Sequence, residues 1–416
     1  MQRLALVAIV VVAGCTDDPC AGVAGKCIGV PAGSSTQTAQ KALIDAQPGD
    51  TVAFGDGTFD FRNDLSLTVD DVTIVGKGMT KTILSFKNQT DGAQGLLVTA
   101  NGFAIHDLAI EDTPGDALKV LGGDGVTIQR TRVEWTRGPD PTNGGYGLYP
   151  VQCQNVLLDA NVVKGASDSG VYIGQSHNIV VQNNDVELNV AGIEIENSSG
   201  ADVHDNTATK NTGGILVFNL PDLQVKNGAG TRVYSNTVFD NNTMNFAKSG
   251  NIVGLVPTGT GIAVLAAHQV EIFGNTVHDH DSVNLGMISY VPTGIQVNDA
   301  QYDQYPTALY IHDNELTGTS AMPTGQLGAL LISALGELYP SGPFIVPDLA
   351  WDGVLDPARV QAATGDYSDA DKICIQNNGD ADFINLAWPL GDATKPSTDM
   401  TSHDCAHPAL PAVVLP

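Results

Sequence analysis

Asn161, Asn184 and Asn206 stand 23 and 22 residues apart, and the interval runs through most of the chain. The full column reads Leu108, Thr131, Asn161, Asn184, Asn206, Asn236, Asn275 and Asn314, with steps of 23, 30, 23, 22, 30, 39 and 39. Short steps repeat near 22, and the longer ones read as 22 plus an insertion. Three positions before the column stand Ile105, Ile128, Leu158, Val181, Val203, Val233, Ile272 and Ile311. Two positions after it stand Ile110, Val133, Val163, Val186, Ala208, Val238, Val277 and Leu316. Apolar residues make up 42% of the chain, so an unbroken run at both flanks is not chance. This is a repeat protein.

Each repeat carries short β-branched stretches with period-two alternation, separated by Asn, Asp and Gly turns, which predicts strands. About 22 residues is too short for a helix pair and suits one coil of three short strands. Stacked coils pair each strand with its equivalent one repeat on, roughly 4.8 Å away, so residues sharing a phase become neighbours. An inward Asn can then bond to the Asn above and below and satisfy the backbone of the bend. Asn also tolerates the left-handed conformation of a sharp corner.

The stretches GLYPVQCQNVLLDANVVKGASDSGVYIGQSHNIVVQNN and NVAGIEIENSSGADVHDNTATKNTGGILVFNLPD resemble right-handed parallel β-helix repeats of the pectin-lyase-like superfamily. Within it the chain is most similar to exported bacterial β-helix repeat lipoproteins of unassigned activity. The resemblance covers most of residues 51–390 and implies an all-β right-handed parallel β-helix. It is specific for fold and weak for function, because the fold carries lyases, hydrolases, epimerases and adhesins. The resembling proteins often occur beside a second exported protein, which makes such a protein a candidate partner.

The opening MQRLALVAIVVVAGC has one cationic residue, an apolar run, then small residues before Cys15. Residues 1–14 read as a secretory signal, too short to span as a mature helix. The Val-Ala-Gly-Cys ending resembles a lipobox, which implies lipidation of Cys15, a membrane held through that anchor, and a place in the bacterial cell envelope. Of the remaining cysteines, Cys20 pairs economically with Cys27 and Cys374 with Cys405, in an oxidising compartment. Cys153 falls at a core strand position and reads as a free buried thiol. The formal net charge is −27, and loss of Arg3 with the signal makes it −28. Nucleic acid and anionic membrane surfaces are therefore poor partners. A monomer is expected.

Residues 15–34 read as a tether, and SSTQTAQKALIDAQPGD as a capping helix over 35–47 whose apolar face is Ala39, Ala42, Leu43 and Ala46. Such a helix would hide the open strand edge of the first coil. The β-helix domain is expected over 35–390, counting that helix. KICIQNNGDADFINLAW forms a last coil or cap strand, with the tail 391–416 packed on it. The gap from the column to the next Gly-led strand is eight or nine residues in the short coils. It grows to 16 before Gly147, 25 before Gly261 and 19 before Gly294. Equal register means equal azimuth, so these loops rise from one side and flank the coils of 161–218 as a groove floor. Insertions at 219–228 and 299–306 would wall a neighbouring edge.

In the Gly-led strand the first and third residues after Gly are apolar, so the second points outward. That outward column reads Lys119, Tyr149, Tyr172, Glu194, Leu216, Ala263 and Gln296, with Glu196 beside Glu194. Aromatic faces with carboxylates in a groove suit a sugar chain. The superfamily resemblance implies lyase or uronate-epimerase chemistry, which needs a base, an acid and a cation to quieten a uronate carboxylate. The catalytic candidates are Tyr172, Tyr149, Glu194, Asp168 and Lys119; for hydrolysis, Glu194 and Asp168 would be acid and base. The substrate-binding candidates are Glu196, Arg137, Trp135, Asn189 and Asn211. No zinc spacing or calcium-loop motif occurs, and VHDHD (277–281) reads as a turn, so no metal site is assigned. Calcium held by Glu194 and Asp168 stays open. The alternative function is non-catalytic binding of a glycan or protein at the cell surface.

Overall fold

The computed structural model describes residues 18–319, 322–341, 345–389 and 395–416. The expected signal of 1–14 and Cys15 lie outside the described residues. Each coil carries three strands, as in Ala191–Glu196, Ser199–His204 and Thr207–Thr209. Each pairs in parallel with its equivalent one coil on: Ile193 with Ile215, Val203 with Val233, Ala208 with Val238. The Gly-led strands make an eleven-stranded sheet, here the first sheet, from Asn63–Leu67 to Phe383–Asn385. The other strands join in one twenty-stranded sheet, here the second sheet, which forms the rest of the tube.

The expected column is a continuous ladder. The backbone N–H and Nδ2 of Asn161 both donate to Oδ1 of Asn184, at 3.0 and 2.8 Å. The same pair of bonds repeats from Asn184 to Asn206, Asn236, Asn275, Asn314 and then Asn378. Each Nδ2 also donates to a strand carbonyl one coil back, such as Val203 from Asn236. Every ladder Asn is buried, and none of its polar atoms is wasted. The left-handed corner is not at the ladder Asn but one residue before it, at Asn183, Asp205, Ser235 and Asp313. That turn is what aims the following side chain inward.

A second ladder runs five residues after the first. Asn189 bonds to Asn211 and Asn211 to Asn241, again through N–H or Nδ2 to Oδ1. Asn241 then donates to Nε2 of His280, whose Nδ1–H donates to Asn284. Burial holds His280 at a pKa of about 4, so the ring is neutral and can accept at one nitrogen while donating at the other. His280 of the VHDHD turn is thus a rung of a ladder.

The helix α1 spans Thr36–Asp45, with Ser35 Oγ accepting from the Thr38 N–H. Ala39, Ala42, Leu43 and Ala46 are buried as expected. The Gln40 amide pairs with both backbone groups of Ser66, at 2.8 and 2.9 Å, as a neighbouring strand would. That contact closes the open edge of the first sheet. The stretch 15–34 is not a plain tether: Cys27–Val30 is a strand paired with Thr51–Phe54, and Cys20 is bonded to Cys27. The solenoid therefore starts before the helix.

At the far end Cys374 is bonded to Cys405, and Ile373–Gln376 pairs with the coil before it. The tail is not confined to that last coil. It returns along the second sheet: the Leu410 N–H donates to Glu271, the Val413 N–H to Asp202, and Asn178 donates to the Val414 carbonyl. A helix α2, Gly325–Leu338, lies where no element was expected, burying Leu331, Ala334 and Leu335 against the first sheet. Cys153 is a buried free thiol facing the Val120 carbonyl.

The third expected insertion is displaced. Val283–Ile288, not a strand led by Gly294, continues the first sheet, with Ile262 opposite Leu285 and Ala263 opposite Gly286. Its inward residues Leu285 and Met287 fill the core, and no leading glycine is needed. The excursion follows that strand, over 289–306, and Gln296 leaves the outward column.

Candidate functional site

Strand register brings the expected row together. Lys119 lies opposite Tyr149, and Tyr172 opposite Glu194, on successive coils of the first sheet. Glu196 stands two residues beyond Glu194. Tyr146, which precedes the Tyr149 strand, completes a three-ring cluster with centroids 4.5 Å from Tyr149, 4.5 Å from Tyr172 and 4.9 Å between those two. The Lys119 ammonium sits 4.6 Å from the Tyr149 ring centroid, a cation–π contact. Gly174 is required here: a Cβ at that position would come within 2.4 Å of the Tyr172 ring. The phenol can therefore fold across the backbone to reach Glu196.

Behind the rings lies a chain of acids. Tyr172 donates to Glu196 Oε1. Ser169 Oγ lies 3.2 Å from Asp168 Oδ1 and in close contact with Glu194 Oε2. Ser169 has one hydroxyl hydrogen and two carboxyl neighbours, so one carboxyl must supply the second hydrogen. Asp168 is the first of the two to ionise, because Asn251 Nδ2 donates to its other oxygen. Glu194 carries the proton. Its Oε1 is buried and has no hydrogen-bond partner, an expensive state for a charged group.

Burial sets the titration. It pushes Asp168 and Glu196 up to about 7, against donors from Ser169 and Asn251 on one and Tyr172 on the other. Burial, then the neighbouring charges of Glu196 and Asp168, raise Glu194 well above the ordinary range. Burial and the surrounding carboxylates also raise Tyr146 and Tyr172, and Tyr149 is pushed to about 12. The phenols stay protonated and act as donors. Asp116, close to Lys119 and Lys248, is raised by burial as well.

The expected open floor is not present. Every residue of Ser169–Gly174, Ala191–Glu196, Gly213–Phe218 and Thr260–Leu265 is buried. The loop 240–259 folds back over them because it is apolar: Val253 and Val256 pack with Leu216, Phe218, Ala263 and Leu265. Its Asn251 reaches Asp168 across 83 residues of sequence. The loop 219–228 closes another side, the Gln224 N–H donating to Gln175, while Tyr302 of the 299–306 excursion donates to the Asn219 carbonyl. What remains near solvent are Lys119, Tyr146 and Tyr149, which are half-buried.

Four expected binding residues are elsewhere employed. Asn189 and Asn211 are fully buried ladder rungs, because their column lies five residues after an inward one. Trp135 is buried on its own coil, its Nε1–H donating 2.7 Å to the Thr113 carbonyl, so no face is free for a sugar. Arg137 is exposed and donates to Thr142 of its own loop. Glu196 does belong to the cluster. Tyr146, Ser169 and Asn251 were not expected: Ser169 adjoins Asp168 and was legible, whereas Asn251 sits in an insertion without register.

Calcium does not fit these residues. Asp168 is occupied by two donors and Glu194 keeps its proton, and no group of three or more His, Cys, Asp or Glu among the described residues is arranged to hold a metal. No step is derived through one.

A model of the right-handed beta helix region matches residues 94–227. The fold is a right-handed parallel β-helix. No curated protein sequence matches the chain. Among solved structures, the AlgE4 A-module of mannuronan C-5 epimerase from Azotobacter vinelandii has 20% identity and a TM-score of 0.49, covering 68% of this chain and 83% of that one. Pectate lyase Pel9A has 13% identity and a TM-score of 0.39, covering 70% and 81%. DFA-IIIase from Arthrobacter chlorophenolicus A6 has 11% identity and a TM-score of 0.44, covering 76% and 88%. These likenesses do not bear on activity.

Proposed function

We propose that the protein acts on a glycan at the Tyr146–Tyr149–Tyr172 cluster, by proton transfer from and to the carboxyls behind it. The observation that carries the reading is the chain from Glu194 through Ser169 to Asp168, with Glu194 Oε1 buried and unpartnered. A protonated acid held beside an ionised one is the pairing that cleavage of a glycosidic bond requires. Tyr146 and Tyr149 offer ring faces and edges to the apolar face of a sugar, and Tyr172 holds Glu196 in place. Phenols kept protonated favour Tyr172 as a donor over Tyr172 as a base. That shifts weight from a tyrosine-based lyase or epimerase toward acid–base cleavage, with Glu194 as acid and Asp168 as base.

A second reading is non-catalytic binding of a glycan or of another exported protein, favoured by how completely Glu194 and Glu196 are covered. Two disulfides support an extracytoplasmic location. Attachment of the chain to the membrane by a lipid on Cys15 is part of the same proposal.

The test incubates the full chain with a panel of glycans and follows new reducing ends, unsaturated ends and uronate epimer ratio. New reducing ends that vanish in Glu194→Gln support cleavage by the carboxyls. Unsaturated ends or changed epimers, lost in Tyr172→Phe, return the reading to a lyase or epimerase. Glycan bound and unchanged supports the second reading.

A further inference from the structure

We infer that the glycan recognised at this cluster is uncharged, not a uronate polymer; the inference rests on the carbohydrate reading above. Four carboxyl groups surround the cluster: Glu196 bonded to Tyr172, Glu194 and Asp168 joined through Ser169, and Asp116 near Tyr149. Against them are two ammonium groups. Lys119 lies over the face of Tyr149, and Lys248 belongs to the covering loop. Arg137, the guanidinium nearest in sequence, is engaged with Thr142 of its own loop.

A uronan carries one carboxylate per sugar ring, and each must be neutralised where it enters a site poor in water. Among the described residues no guanidinium stands at the cluster for that purpose, and the carboxyls do not form a calcium cage. The field of the whole molecule works in the same direction, with a formal charge of −27 repelling polyanions before contact. An uncharged sugar meets none of these penalties. Its hydroxyls can pair with the phenol groups of Tyr146 and Tyr149, which stay protonated at the half-buried rim of the cluster. The unpartnered oxygen is the feature that separates this site from a solvated acidic patch: it is buried, fixed, and short of one donor.

The experiment measures binding of the full chain to polygalacturonate, polymannuronate and polyguluronate, each paired with its carboxyl-reduced counterpart of the same linkage. Xylan, β-glucan and fructan extend the neutral set. The inference expects at least one neutral glycan to bind tenfold or more tighter than every uronan. It also expects raised salt to leave that affinity unchanged while lifting part of the uronan deficit. Preference for a uronan over its reduced form overturns the inference and leaves the carbohydrate reading standing. Binding to no glycan in either set overturns the carbohydrate reading, and the inference with it.

Discussion

Tyr172 donates its phenolic hydrogen to Glu196, which lies 24 residues later in sequence and one coil away in space. The bond holds down the Glu196 carboxyl, which burial otherwise raises. Tyr172→Phe removes the only resolved influence that lowers it, apart from solvent. The Glu196 pKa should therefore rise above about 7. Gly174→Ala should act in the same direction without deleting a polar group, because the new methyl meets the Tyr172 ring. A titration of the labelled carboxyl in both variants checks this. A shift in the first and none in the second would mean that Gly174 does not position the ring.

The carboxyl cluster should favour the fold less as pH rises from 5 to 8, with Glu194 contributing, while the buried neutral His280 acts in the opposite direction. The native carboxyls of Asp168 and Glu196 hold protons up to about 7, and Glu194 beyond the ordinary range, whereas the unfolded chain releases them near 4. At these three carboxyls the native state binds more protons across that interval, so their contribution to stability is lost as pH rises. Glu194→Gln should match the wild type at pH 5 and melt at a higher temperature than it at pH 8. Calorimetry at the two pH values reads the difference directly. All other titrating groups are common to both proteins.

The ladder gives a sharper stability prediction. Asn236→Ala leaves the Asn206 N–H and Nδ2 without their shared acceptor, and removes a donor from the Val203 carbonyl. Buried orphans of this kind cost roughly 1–3 kcal/mol each, so a loss of about 3 kcal/mol or more is expected in denaturant unfolding. Damage should concentrate in the neighbouring coils, since each coil touches only its neighbours. Hydrogen exchange should rise first around residues 203–275.

Cys405→Ser should free the tail from the last coil. In the chain-entropy account a loop of 31 residues contributes about 3–4 kcal/mol when closed. The tail is held besides by bonds to Glu271, Asp202 and Asn178, and by Ser397 on Asn385, His403 on the Ile373 carbonyl, Asp404 on Gln376 and His407 on the Lys372 carbonyl. Limited proteolysis should cut near 395–416 in the variant and spare the central coils. Resistance equal to the wild type would mean that those bonds alone fasten the tail.

The coil register was legible in the sequence because a period of 22 with inward apolar flanks leaves one way to stack. It fixed the juxtaposition of Tyr149, Tyr172 and Glu194, which strand pairing bears out. The second ladder was written just as clearly, five residues after the first at Asn189, Asn211 and Asn241, but those residues resemble surface turn residues until their burial is known. Loop 240–259 carried no period, so nothing in the sequence told whether it would stand up or lie down. Its apolar residues Phe246, Ile252, Val253 and Val256 decide that it lies down. That single outcome turned an expected groove into a nearly closed cluster and brought in Asn251. Gly294 misled for a related reason: a leading glycine is common in this sheet but not needed, and Val283–Ile288 satisfies the core without one.

Underlying all of this is a claim about protons, that stacking these coils keeps a carboxylic acid neutral at a pH where free carboxylates are ionised. Infrared difference spectra of the wild type and Glu194→Gln, recorded at pH 6 to 7, measure it. Asp168 and Glu196 contribute to both spectra, so the account predicts one further carboxylic-acid carbonyl band, present in the wild type and missing from the variant. Identical spectra, with Glu194 fully ionised at pH 6, would contradict it.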